Sequence, residues 1–237
     1  MLSLERQNLL RERYRVLNPG WRPGTEVYAA LVRANLQPSA RLLDLGCGRG
    51  GLVEQLGHPL ERVVGVDPDW RSLVEHRLAL PRVAALSDAL PLANGRFDLV
   101  FSSWLLEHLE RPLFTFAQIA RVLRPGGHFV FITPNAAHPL SGLNRVLGRF
   151  ARLQGVLVDR FYGRAVADAF PTFYRANTMA ALHRLAAGNG LTLDSLEAIS
   201  DPTYLAFNEP LFRLMVRFEA RLDRTRHIHL VGCMRRT

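Results

Sequence analysis

The chain contains no lysine: all 30 of its basic residues are arginine. So uniform a choice reflects a compositional bias, such as a GC-rich genome imposes, and no single arginine gains weight from its presence alone. Cysteine is almost as scarce. Cys47 and Cys233 are the full complement, too few for a disulfide framework and without the spacing of a metal or redox motif. No metal ligand set is expected, and two thiols suit a reducing cytoplasm. No apolar run approaches the roughly 20 residues that span a bilayer. The opening Met1-Leu2-Ser3-Leu4-Glu5-Arg6 carries charge where a secretion signal needs an apolar stretch. Repeats and low-complexity tracts are also missing. What remains is a chain of 237 residues, 48% hydrophobic, able to bury one full core, so a single elaborated domain is expected over 1–237.

Charge is unevenly spread. Six arginines stand against three acids over residues 1–38, ten against ten over 39–133, and fourteen against eight over 134–237. The net charge of +9 therefore lies wholly outside the middle segment.

That neutral segment holds the most informative stretch, Leu42-Leu43-Asp44-Leu45-Gly46-Cys47-Gly48-Arg49-Gly50-Gly51. Arg41 to Leu45 reads as a central parallel strand buried on both faces. The glycines permit a tight turn and let a ligand lie against bare backbone. A helix expected after them would point unpaired N–H groups into the turn. Gly46, Gly48 and Gly51 also satisfy G-x-G-x-x-G, the dinucleotide fingerprint, which alone is a weak signal. Asp44 separates the two readings. A carboxylate among apolar neighbours is costly without donors; an ammonium group would supply them, whereas a pyrophosphate would be repelled. Asp67 ends the next strand, Arg62 to Val66, where an acid can accept from ribose hydroxyls. Asp88 follows a third strand, Arg82 to Leu86, where a purine edge would lie. Amine, ribose and adenine in that order describe S-adenosylmethionine (SAM).

Residues 41–133 resemble the core of the class I SAM-dependent methyltransferases. The resemblance rests on Asp44-Leu45-Gly46-Cys47-Gly48, Gly65-Val66-Asp67 with Pro68, Asp88-Ala89-Leu90-Pro91, Phe97-Asp98-Leu99-Val100 leading to Glu107-His108-Leu109, and Leu123-Arg124-Pro125-Gly126-Gly127 before Phe129 to Thr133. It implies an α/β, Rossmann-like, seven-stranded and mostly parallel sheet with helices on both faces and an antiparallel last strand. It also implies a cofactor site of Asp44, Gly46, Cys47, Gly48, Asp67, Pro68, Asp88, Ala89, Ser102 and Ser103. The bland alternative makes these acids strand-end caps.

Around a core at 39–133 the sequence predicts an N-terminal helical cover at 1–38 and two helical insertions at 134–176 and 201–226. Helices are expected at Leu4 to Val16, from a Thr25 cap to Asn35, and at 51–57, 70–79, 112–123 and 178–187, the last capped by Asn177. Strands are expected at 97–101, 128–133, Leu191 to Ile199 and Ile228 to Met234. In the first insertion Leu140, Leu143, Val146, Leu147, Phe150 and Leu153 recur at helical spacing, with Arg145, Arg149 and Arg152 opposite. The second repeats the design, with Leu211, Leu214, Met215, Phe218 and Leu222 against Arg213, Arg217, Arg221 and Arg224. Such helices can lie on an anionic membrane, giving peripheral contact with its inner face, or pack on the domain with their arginines in water. Glu209, four residues before Arg213, can pair with it.

Ser102-Ser103-Trp104 follows the fourth strand, beside the expected methyl group. His108 is the best general base on offer, and in the resembling family a histidine here also packs under the cofactor. Trp104, Tyr162, Asp168, Tyr174 and Arg175 are candidates to face the acceptor. Tyr14, Arg15 and Trp21 lie in a cover that could close over SAM, where an arginine could meet the methionine carboxylate. Asp201-Pro202-Thr203-Tyr204 is similar to the Asp-Pro-Pro-Tyr motif of amino-methylating DNA enzymes, yet it follows the wrong strand and lacks the second proline; it reads as a turn. The sequence thus predicts a SAM-dependent methyltransferase acting on a small molecule, with a hydroxyl oxygen of an acidic or lipid-linked metabolite as acceptor. An RNA methyltransferase, suggested by the net charge, lacks any appended RNA-binding motif. A non-catalytic SAM-binding scaffold and an NAD-dependent oxidoreductase are the other readings. Oligomeric state leaves no mark on the sequence.

Overall fold

In the computed structural model, which describes residues 4–142, 170–203, 206 and 208–237, β1 (Leu42–Leu45) is buried along its whole length. It lies between β2 (Val63–Asp67) and β4 (Phe97–Ser103), parallel to both. Beyond β2 comes β3 (Arg82–Ala84), and beyond β4 comes β5 (Leu123–Pro134), again parallel. The order across the sheet is β3-β2-β1-β4-β5-β7-β6. β7 (His229–Arg236) runs antiparallel to β5 and to β6 (Leu191–Ile199), so β7 alone opposes the others. The expected closing strand therefore lies inside the sheet and leaves β6 at the edge.

Alternation along the strands divides the core in two. Leu43, Leu45, Val100, Phe129 and Phe131 face α4 (Pro112–Val122) and α5 (Met179–Ala187), meeting Phe116, Ile119 and Leu182. Leu42, Leu99, Phe101, Val130 and Ile132 face α2 (Gly24–Ala34), meeting Tyr28 and Val32. Burying each such large apolar side chain is worth about 1.5–3 kcal/mol. A smaller cluster of Tyr14, Phe212 and Ala206 ties α1 (Leu4–Leu17) to α6 (Glu209–Glu219). Among the described residues no helix is long and apolar enough to cross a membrane.

Several expected elements are shorter or differently ended. The helix expected at 51–57 is a single 3-10 turn, Leu52–Gln55, after which Gly57 takes φ +62° and Pro59 follows. The helix expected at 70–79 stops after Val74 as α3 (Trp70–Val74). There the Leu78 N–H turns to the His76 ring nitrogen and the Arg77 N–H to the Arg49 carbonyl, replacing helical bonds. β5 starts at Leu123 rather than 128, because Pro125-Gly126-Gly127 forms an irregularity within the strand, with Gly126 at φ +75°. Thr178, not Asn177, caps α5 by accepting from the Ala181 N–H at 3.1 Å. Thr25 lies inside α2, which starts after Pro23 without a side-chain cap. In α6 the buried face is Phe212, Met215 and Glu219, and Leu214 points to solvent. Glu209 does pair with Arg213, at 2.8 Å.

Candidate active site at the strand tips

Strand order reverses between β1 and β4, which opens a crevice beyond their C-terminal ends. The loop after β1 is built to border it. Gly46 takes φ +78°, and a Cβ there would meet Leu105 Cδ1 at 3.2 Å, so only glycine both makes the turn and clears the neighbouring chain. Its N–H and that of Cys47 donate to the Val66 carbonyl at 2.8 and 3.1 Å, pinning loop to β2. The Cys47 side chain packs into β2, where a Cβ on Gly65 would lie 2.9 Å from Sγ. Burial pushes that thiol up to about 12.

Three aspartates follow the sheet order: Asp44 is next to last in β1, Asp67 ends β2, and Asp88 lies in the turn four residues past β3, which stops at Ala84 rather than the expected Leu86. Asp67 accepts from the Gly48 N–H and from the Asp69 N–H, both at 2.9 Å, which fixes the carboxylate at the crevice. Asp44 projects from β1 onto the α2 face and is only 5% exposed. Burial first, and the nearby Asp67 second, push its carboxyl up to about 7. Asp88 is held by Arg111, whose Nη2 and Nε donate to Oδ2 at 2.7 and 3.1 Å. Its Oδ1 is buried with no hydrogen-bond partner.

A cavity of about 330 Å³ opens beside Asp67, the one of the three aspartates in its lining; Asp44 and Asp88 lie outside that lining. Gly46, Asp67, Pro68, Trp104 and His108 line it, together with Leu86 and Phe173. Trp104 is one of two non-glycine residues with positive φ among those described, at +55°, a conformation that costs about 1–2 kcal/mol. Its N–H reaches the Ile132 carbonyl at 3.1 Å and its ring stands edge-on to His229, centroids 5.1 Å apart. Held so, the indole remains 37% exposed toward the cavity. The His108 ring nitrogen Nδ1 lies 2.9 Å from the Pro171 carbonyl oxygen, which can only accept, so Nδ1 carries the hydrogen. Nε2 then holds the lone pair, 4.0 Å from Glu107 Oε1. Glu107 itself is buried and set by Thr133, whose hydroxyl donates to Oε2 at 3.0 Å and accepts from Asn177 Nδ2 at 2.6 Å. Asn177, expected as a cap, instead supports Glu107 through Thr133.

Other expected site residues fall elsewhere. Ser102 is fully buried within β4, while Ser103 is half-buried at its end; neither lines the cavity, and nor does Ala89. Arg175 donates to the Glu110 carbonyl and backs the Phe173 ring, while Tyr174, with φ +52°, donates its N–H to the Glu107 carbonyl. Tyr162, Asp168, Arg145, Arg149 and Arg152 lie outside the described residues. The N-terminal cover packs beyond the C-terminal end of β6, at the same end of the sheet as the crevice but toward its β6 edge: Trp21 Nε1 donates to the Ser200 carbonyl, Tyr14 stacks edge-on against Trp21, and Arg15 pairs with Glu26 at 2.6 Å. Asp201 to Thr203 form the expected turn, the Thr203 N–H and hydroxyl both donating to the Asp201 carboxylate. His128, Asp194 and Cys233 come within 4.8 Å of one another, but at the opposite end of the sheet, where Arg235 holds Asp194 at 3.1 Å. Leu86, Ser87, Phe170 and Phe173 join the cavity without having been expected there. For Leu86, Phe170 and Phe173 a large apolar side chain outside a regular element was the only signal; Ser87 carried none.

Comparisons with known proteins bear on the domain and the fold. Residues 43–131 match the model of a methyltransferase domain. A malonyl-[acyl-carrier protein] O-methyltransferase from Hahella chejuensis is 36% identical over 100 residues, 39% of this chain and 36% of that protein. A ubiquinone biosynthesis O-methyltransferase from Alkalilimnicola ehrlichii is 34% identical over 122 residues, 48% of this chain and 49% of that one. The chain thus spans about half or less of the length of these relatives. In fold, a crystal structure of an S-adenosylmethionine-dependent methyltransferase from Mesorhizobium loti superposes with a TM-score of 0.57 at 20% identity, covering 87% of this chain and 96% of that one. The residues present fit SAM. Asp88 Oδ1 is a buried acceptor without a partner, Asp44 is a buried acid beside the glycine loop, and Gly46 leaves the space a side chain would fill.

Proposed function

Because residues 43–131 form a class I SAM-dependent methyltransferase domain, we propose that the whole chain methylates a hydroxyl oxygen of a small, apolar, lipid-linked acceptor. One observation carries this reading. The cavity beside the glycine loop is walled by Trp104, Phe170 and Phe173, and among the described residues its ionisable lining is Asp67 and His108. Both relatives described above are O-methyltransferases by name, which supports oxygen as the acceptor atom.

Bound SAM supplies an already activated methyl group on a sulfonium sulfur. The chain's part is then alignment and proton removal. Asp44, Asp67 and Asp88 would hold the ammonium, ribose and adenine ends respectively. Trp104, locked by its backbone and by His229, presents a flat wall against which an acceptor is aligned. His108, with Nδ1–H spent on Pro171, offers Nε2 to the acceptor hydroxyl proton. The resulting imidazolium would face Glu107 Oε1, so Glu107 stabilises the charged ring. Phe170 stands edge-on to His108, centroids 6.1 Å apart, and adds an apolar edge beside that exchange.

A peripheral membrane contact belongs to the same reading. α6 turns Arg213, Leu214 and Arg217 to solvent, and α1 joins it through Arg13 and Glu209 at 2.7 Å. The test uses methyl-labelled SAM and a cell extract. Label in base-stable, organic-extractable lipid supports the proposal; label in RNA, or in esters and amines alone, overturns it. Charge reversal at Arg213 and Arg217 should weaken liposome binding while leaving SAM binding intact.

A further inference from the structure

α2 sends one hydroxyl into the interior. Tyr28 is 3% exposed, and its oxygen is buried with no hydrogen-bond partner. A hydroxyl left so costs about 1–3 kcal/mol, and buried tyrosines usually find a partner. The side chain packs with Leu42, Phe101 and Ile132. Asp44, two residues after Leu42 on the same face of β1, projects toward that side of the sheet. The two groups feel each other: burial first, then the Asp44 carboxylate, hold the Tyr28 phenol well above its ordinary range. The hydroxyl therefore keeps its proton and can act as a donor.

An amino acid carries its carboxylate on the same carbon as its ammonium group. A donor close to the acid that receives the ammonium is thus placed for the carboxylate. The arginine that might have served, Arg15, is taken by Glu26 at 2.6 Å and Glu12 at 3.5 Å. We infer that Tyr28 is a cofactor-positioning residue, its hydroxyl donating a hydrogen bond to the carboxylate at the methionine end of SAM. The inference rests on Asp44 as the acid that binds the ammonium group.

The test is calorimetry with two probes on the full chain. S-adenosylhomocysteine carries the amino-acid end; 5′-methylthioadenosine lacks it. Tyr28→Phe should weaken S-adenosylhomocysteine about tenfold, the loss of one bond to a charged group. It should leave methylthioadenosine unchanged, and the ligand-free protein should melt no lower, since an unsatisfied hydroxyl has gone. Unaltered S-adenosylhomocysteine affinity would overturn the assignment, and so would equal losses for both probes, which mark a structural role. Asp44→Asn separates the two readings. If it weakens S-adenosylhomocysteine while Tyr28→Phe does not, the Tyr28 role alone falls; if it spares that ligand too, the amino-acid end lies elsewhere and both fall.

Discussion

His108 and Pro171 are joined by a hydrogen bond of 2.9 Å from the imidazole Nδ1 to a main-chain carbonyl. The bond fixes the neutral ring in one tautomer and leaves Nε2 as the acceptor. General acid–base catalysis contributes about 10²–10⁴-fold. His108→Gln should therefore lower kcat about a hundredfold or more while leaving S-adenosylhomocysteine affinity within about twofold. Full activity in this variant would reduce the histidine to a wall of the cavity.

Asp44 gives the site a pH dependence whose sign can be worked out. Its carboxyl is pushed up to about 7, mainly by burial, and only the carboxylate form attracts an ammonium group. Cofactor affinity should rise with pH and level off above about 7, with affinity at pH 6 about tenfold below the plateau. Ligand-free stability moves the other way. A carboxyl with a raised folded pKa favours the fold below its ordinary range, and that contribution is lost as pH climbs through about 7. Asp44→Asn should flatten both profiles. Calorimetry and melts at pH 6, 7 and 8 measure them, and parallel slopes for affinity and stability would contradict the assignment.

Asp67 has two duties, since it braces Gly48 and Asp69 as well as facing the cavity. Asp67→Ala should cost about 2–3 kcal/mol of cofactor affinity through bonds to a charged group. Methylthioadenosine should suffer as much as S-adenosylhomocysteine, because both carry the ribose. A loss confined to one of the two nucleosides would count against a ribose contact.

α6 is fastened to the core by a buried pair. His138 Nδ1 accepts from the Leu140 N–H, so Nε2 carries the hydrogen and donates to Glu219 Oε1 at 3.0 Å. Both side chains are essentially inaccessible. Glu219→Ala should destabilise the protein by about 3 kcal/mol, and replacing both partners with leucine should cost less than that single change. Chemical denaturation of the three variants decides it; a double variant weaker than the single one would show that the pair is favourable beyond satisfying itself.

The centre of the sheet was legible because β1, β2 and β5 hold apolar runs ended by glycine, acid or proline, and its edge because β6 alternates between apolar and polar residues. β6 falls at the expected bounds, Leu191–Ile199. The helices after β1 and β2 were not, because their endings depend on contacts distant in sequence, such as the Arg77 N–H reaching Arg49. Asn177 carries the signature of a cap, yet its amide is drawn inward to Thr133 by the carboxylate of Glu107 beyond it. In the candidate site, Asp44, Asp67 and Asp88 were singled out by their place after or within successive strands together with the family resemblance. Tyr28 stayed hidden because a tyrosine on an apolar helix face reads as ordinary core. Phe170 and Phe173 follow the undescribed part of an insertion, where spacing says little about which way a ring will face.

The fit of Cys47 against Gly65 has a practical side. Its thiol and that of Cys233 are both interior and both pushed up to about 12, so neither reacts readily at neutral pH. With no lysine in the chain, amine-directed dyes have almost nothing to attack either. Native protein should therefore stay nearly blank to labelling reagents. Any thiol uptake becomes a clock for how often the molecule opens, and a ligand that grips the glycine loop should slow that clock at Cys47.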